Sequence, residues 1–252
     1  MTVQIVQFAP YKYPAGNPGP ANIPLGSDPT PGNLLIAALP SITPPGPPDP
    51  FWFVVSNQQG NFDNCIWLAH FVVPGDTADL APFYDWPPDT FSQYAAGGVW
   101  ELSGASSDLL SSPFAYVEFG IPINPPPGPD FIDLTLATDT ADTMVLFISF
   151  VKLYGTAFPP PPPWVTVGFS GLSLDASVQP TLDQEDINSN SYGAGHQLVG
   201  APGAPVTYSA NYSGQITEFG NFSALAIRPP VIINTNFVAR YDLLNWTRPW
   251  TE

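Results

Sequence analysis

"PGNLLIAALPSITPPGPPDPFWFVVSN", residues 31–57, sets two apolar runs on either side of a connector crowded with proline. Short apolar runs bounded by turn residues read as strands rather than helices. Proline fixes φ and donates no N–H, so within sheets it gathers at strand ends, edges and loops. The segment "PSITPPGPPDP", residues 40–50, is therefore expected to be a stiff connector between two strands and not a disordered linker.

The same grammar extends along the chain. Strands are predicted over residues 3–8, 33–40, 51–56, 64–73, 89–93, 97–103, 115–119, 131–137, 143–152, 164–170, 192–199, 205–212 and 222–228, separated by clusters of Pro, Gly, Asp, Asn and Ser. Val165 to Phe169 alternates as a strand with one wet face should, whereas 143–151 is apolar throughout and belongs in the middle of a layered core. Helical periodicity is scarce. The fold class this predicts is all-β, an antiparallel β-sandwich of jelly-roll-like or concanavalin-like type.

Composition supports a folded chain. Of 252 residues, 44% are hydrophobic and 13% aromatic, which is enough to build a core despite 34 prolines and 21 glycines. One sandwich over residues 1–230 is expected, because all-β units commonly exceed 200 residues as single domains. Twenty-one acidic residues against five basic ones give a net charge of −16, which disfavours nucleic acid and anionic lipid surfaces as partners. No apolar run is long enough to span a membrane, so no insertion is expected. "MTVQIVQFAPYKYP" lacks the basic and apolar regions of a secretory signal, and the lone Cys65 precludes an intrachain disulfide and reads as a buried small hydrophobe.

The chain also repeats an order. "NLLIAAL" at 33, "PFWFVVSN" at 50, "CIWLAHFVVPGDT" at 65 and "AAGGVWELSG" at 95 are followed in the second half by "DTMVLFISF" at 142, "AFPPPPPWVTVGFS" at 157, "YGAGHQLVGAPGAPVTYS" at 192 and "FGNFSALAIRPP" at 219. Two similar halves, about 31–104 and 140–230, are expected to pack on each other or to interleave. Residues 171–190 read as an insertion in the second half, and 231–252 as a C-terminal arm.

Taken together, the "VQ-x-A" opening, "PGNLLIA", a proline-rich loop ending in an aromatic strand, "TFS", "AAGGVWELSG", "ADTMVLFISF" and "SALAIRP" resemble β-sandwich modules of tailed-phage virion and tail-appendage proteins. The resemblance covers roughly residues 3–229. It implies a structural or host-facing part of a virus particle or a similar extracellular assembly, which associates with itself or with other virion proteins. No catalytic residues come with it.

The residues themselves point the same way. His70 and His196 lack the H-x-H, H-E-x-x-H or Cys/His company that a metal would need, so both are expected to be structural, their ring nitrogens satisfied by backbone. Asp183, Glu185 and Asp186 are the nearest approach to a Ca²⁺ set, but the glycine and distal glutamate of an EF-hand are missing, and a solvated loop is expected. Asp79, Asp85, Asp89, Glu101 and Glu118 show no side-by-side arrangement suited to glycoside hydrolysis, and Glu101 is predicted to point outward. No enzymatic activity and no cofactor are expected. Phe83, Tyr84 and Trp86, in "LAPFYDWPPDTF", are the best-placed aromatics for stacking on surface glycans, although aromatics of this kind also pin proline-rich loops onto a sandwich. Trp246, Arg248 and Trp250 have the composition of an interface anchor, docking either on a neighbour or back on the same chain.

Overall fold

The computed structural model describes residues 2–12, 23–41, 50–59, 64–80, 96–109, 112–120, 131–154, 166–178, 188–213 and 219–230. Among them every regular element is a β-strand, and every strand pair is antiparallel.

The first sheet comprises β1 (Gln4–Lys12), β3 (Leu34–Ser41), β4 (Phe53–Gln59), β5 (Asn64–Phe71) and β7 (Ala96–Ser103), in the order β1-β7-β3-β5-β4. A short ribbon of β2 (Ile23–Pro24) and β6 (Asp79–Leu80) stands beside it. The second sheet comprises β8 (Phe114–Gly120), β10 (Thr143–Tyr154), β12 (Ser173–Val178), β13 (Asn188–Val199) and β15 (Phe219–Ile227), in the order β8-β15-β10-β13-β12. The third is formed by β11 (Thr166–Ser170), β14 (Val206–Ser213) and β9 (Phe131–Leu136), with β14 in the middle. Numbered within its own sheet in chain order, each five-stranded sheet reads 1-5-2-4-3. Residues 4–103 thus build one sheet and residues 114–227 the other.

The layers stack as a sandwich with an added leaf. Leu34, Ile36, Trp67, Trp100 and Leu102 of the first sheet meet Met144, Leu146, Ile148, Phe150 and Tyr192 of the second in one buried cluster. The opposite face of the second sheet, with Val145, Phe147, Val151 and Phe222, packs on Leu134, Leu136, Val167, Tyr208 and Tyr212 of the third. The apolar run of β10 from Met144 to Val151, broken only by Ser149, follows from this, because odd and even positions each have a core to enter. β3 obeys the same logic: Leu35, Ala37 and Leu39 are buried on the outer face of the first sheet with Leu25, Trp52 and Val72.

A few polar bonds fix the register between layers. Trp67 and Trp100 stack at 6.0 Å in the first interface, and Trp67 Nε1–H donates to Ser223 Oγ across it at 2.8 Å. In the second interface Ser149 Oγ and Tyr212 Oη lie 2.6 Å apart, and Ser149 also donates to the carbonyl of Asn221. Glycine provides the close approaches. A Cβ on Gly97 would fall 2.1 Å from the carbonyl oxygen of Ala38, and one on Gly193 would fall 2.8 Å from Val167.

One sequence expectation fails here. Residues 171–190 are not a plain insertion, since Ser173–Val178 form β12 and β13 begins at Asn188. The segment "SLDASV" is short and carries two serines and an aspartate, and the strand it forms is a sheet edge, hydrogen-bonded along one side only, with a bulge between Leu174 and Ala176.

Candidate functional site

Three polar constellations stand out against so apolar a frame. The first spans the two large sheets at the margin of their shared core. Asp175, the additional residue of the β12 bulge, is turned inward. One of its oxygens accepts the indole N–H of Trp100 at 2.9 Å and the other meets Nδ1 of His196 at 2.7 Å. An ionised carboxylate only accepts, so the imidazole proton sits on Nδ1, and Nε2 has no protein partner among the described residues. An aspartate fixing Nδ1 is how a general-base histidine is oriented, but no hydroxyl or thiol among the described residues bonds to Nε2 as a nucleophile would.

The second constellation closes one end of the first sheet. His70 is buried on β5, with Nδ1 2.8 Å from the carbonyl of Phe51 and Nε2 2.7 Å from Asp76 Oδ2. Asp76 also accepts the backbone N–H of Val73 at 2.8 Å, across a turn in which Gly75 takes a positive φ of 103°. Burial pushes the Asp76 carboxyl up, but the bonds from His70 and Val73 outweigh it and the net shift is downward. Trp52 lies against the imidazole, ring centres 5.5 Å apart. The turn after β5 is thereby stapled to the residues that lead into β4.

Glu101 makes the third, and it corrects the sequence reading. It does not point into solvent; its residue is fully buried. The outer face of β7 is roofed by residues 25–33, from which the backbone N–H of Thr30 and the amide of Asn33 donate to Glu101 at 2.8 and 2.6 Å. Gln7 on β1 donates at 2.6 Å. Burial raises the Glu101 carboxyl, but the three donors more than offset it and hold it below its ordinary value. The local pattern offered only Val99, an apolar neighbour on the same face, and no sign of what covers it.

His70 and His196 sit on corresponding strands, β5 and β13, yet point to different layers. His70 pairs across from Leu35 on the outer face, His196 from Leu146 on the inner one. Each finds an aspartate, and only His70 also finds the backbone partner expected of both. Of the carboxylates named from sequence, Asp79 lies on the short β6 and Glu118 on the edge strand β8, on different sheets. Asp85, Asp89, the aromatics Phe83, Tyr84 and Trp86, the acids Asp183, Glu185 and Asp186, and the arm residues Trp246, Arg248 and Trp250 lie outside the described residues. Among the described residues no group of three or more His, Cys, Asp or Glu side chains is placed to hold a metal ion, and no helix is long and apolar enough to cross a membrane. Cys65 is buried. Comparison with protein-family models, with curated proteins and with solved structures gave no match.

Proposed function

We propose that the chain is a non-enzymatic structural component of a virus particle or a comparable extracellular assembly, and that it associates with copies of itself or with other proteins of that particle. The observation that carries this reading is the use made of the buried polar groups. Asp175, Asp76 and Glu101 spend their hydrogen bonds on tying layers and loops to one another. A stack of three layers closed in this way suits a part that must hold its shape.

The exterior fits the same role. Neutral polar residues, proline and glycine far outnumber the 10% of residues that are charged, and proline lowers the entropy of the unfolded chain while blunting sheet edges. Mass measurement of the purified chain over a range of concentrations, alone and mixed with the products of neighbouring genes, tests the reading. Defined oligomers or co-assemblies are expected, and a chain that stays monomeric and ignores every such product overturns it.

A further inference from the structure

The outward face of the third sheet carries a patch that the layered core does not use. β9 turns Phe131, Asp133 and Thr135 to solvent at alternate positions while Leu134 and Leu136 enter the core. The registers set Phe131 opposite Asn211, Asp133 opposite Ser209 and Thr135 opposite Thr207, and on the other side of β14 they set Gly168 opposite Asn211 and Ser170 opposite Ser209. The polar side chains hold one another across the strands. Asn211 Nδ2–H donates to Ser170 Oγ at 2.6 Å, Ser209 donates to Asp133 Oδ1, and the hydroxyls of Thr135 and Thr207 are 3.2 Å apart. Among the described residues nothing donates to the side-chain carbonyl oxygen of Asn211 or to the second oxygen of Asp133.

Two features set this face apart from an ordinary solvated sheet. Phe131 is 56% exposed, an aromatic face held at the sheet edge. Gly168 leaves open space beside Asn211, with no atom within 4 Å of where a Cβ would stand. With strands about 4.8 Å apart, the row Gly168, Asn211, Phe131 spans about 10 Å, the reach of a disaccharide, with a shallow notch at one end and a ring at the other.

We propose that this face binds a neutral polysaccharide, Phe131 stacking on the apolar side of a pyranose while Asn211 and Asp133 bond to its hydroxyls. Charge selects this occupant: the face has one carboxylate and no cation among the described residues, and a chain of net charge −16 repels sulfated or sialylated glycans. The carboxylate and the amide carbonyl accept from sugar hydroxyls and the serine and threonine hydroxyls can do either, the mixture a polyol requires. Because the polar side chains are already fixed by one another, binding costs little further ordering. This inference does not depend on the assembly role.

The test titrates the full chain by calorimetry with cellohexaose, xylohexaose, chitohexaose and soluble mannan, and with heparin and polysialic acid as anionic probes. Binding of at least one neutral probe is expected, weakened at least about tenfold by Phe131→Ala and by Asn211→Ala, and retained in Phe131→Trp. Gly168→Leu fills the notch without touching Phe131, so it blocks binding even if the phenylalanine variant folds poorly. Failure of every neutral probe to bind, equal affinity in all variants, or preference for an anionic probe overturns the proposal.

Discussion

The carboxylate of Asp175 accepts the indole N–H of Trp100 at 2.9 Å, so an edge strand of the second sheet holds a side chain that is fully buried in the first. Removing the acceptor leaves that N–H desolvated and unpaired. Asp175→Ala is expected to lower stability by about 1–3 kcal/mol, whereas Trp100→Phe in the Asp175→Ala background should add less than it does alone, because the orphaned donor is gone. Urea unfolding of the single and double variants measures both.

Gly97→Ala tests the closeness of β7 to β3. The added methyl would fall 2.1 Å from a backbone carbonyl, which cannot rotate aside. A loss of about 3 kcal/mol is expected, at the upper end of ordinary overpacking. Gly98→Ala meets the ring of Phe8 at 2.5 Å, and a ring on a partly buried side chain can yield. Its cost should be smaller, and the order of the two melting temperatures decides.

Acid should destabilise the fold through Glu101, Asp76 and Asp139. All three carboxyls are held below their ordinary values, Asp139 chiefly by the hydrogen bond from Arg228. A carboxyl lowered in the folded state binds protons more readily when unfolded, so its stabilisation is complete above its ordinary value, 4.5 for Glu101, and is lost as pH falls through the folded one. Glu101→Gln should therefore be less stable near neutrality and flatter in its pH dependence below about pH 4.5. Denaturant midpoints between neutral pH and pH 3 check the slope.

Asp142 precedes β10 with a φ of 55°, in the left-handed region. Glycine tolerates that conformation without cost and asparagine nearly so, while a β-branched residue does not. Asp142→Asn should leave thermal stability unchanged, and Asp142→Val should cost about 1–2 kcal/mol.

The sheets were legible because their signals are local. The runs at 34–39 and 143–151 announce strands with two interiors, and the glycines of "AAGGVWELSG" mark a backbone that must come close to another. β12 was missed although Leu174, Ala176 and Val178 alternate with Ser173, Asp175 and Ser177, and that alternation misleads about its faces, because the bulge leaves Leu174 exposed and turns Asp175 inward. Glu101 was misread because alternation places it on the face away from Trp100 and says nothing about what covers that face. Residues 25–33 do so through bonds that span 71 and 68 positions in sequence, beyond any local pattern.

Because each large sheet is drawn from its own stretch of chain, synthesis completes one before the other exists. Once Ser103 has left the ribosome, all five strands of the leading sheet are available to pair, but Trp67, Trp100 and Leu34 lack most of the facing layer until β10 emerges some forty residues later. During that interval the nascent protein presents a bare aromatic surface, the moment at which a chaperone, or another half-made copy, would find it.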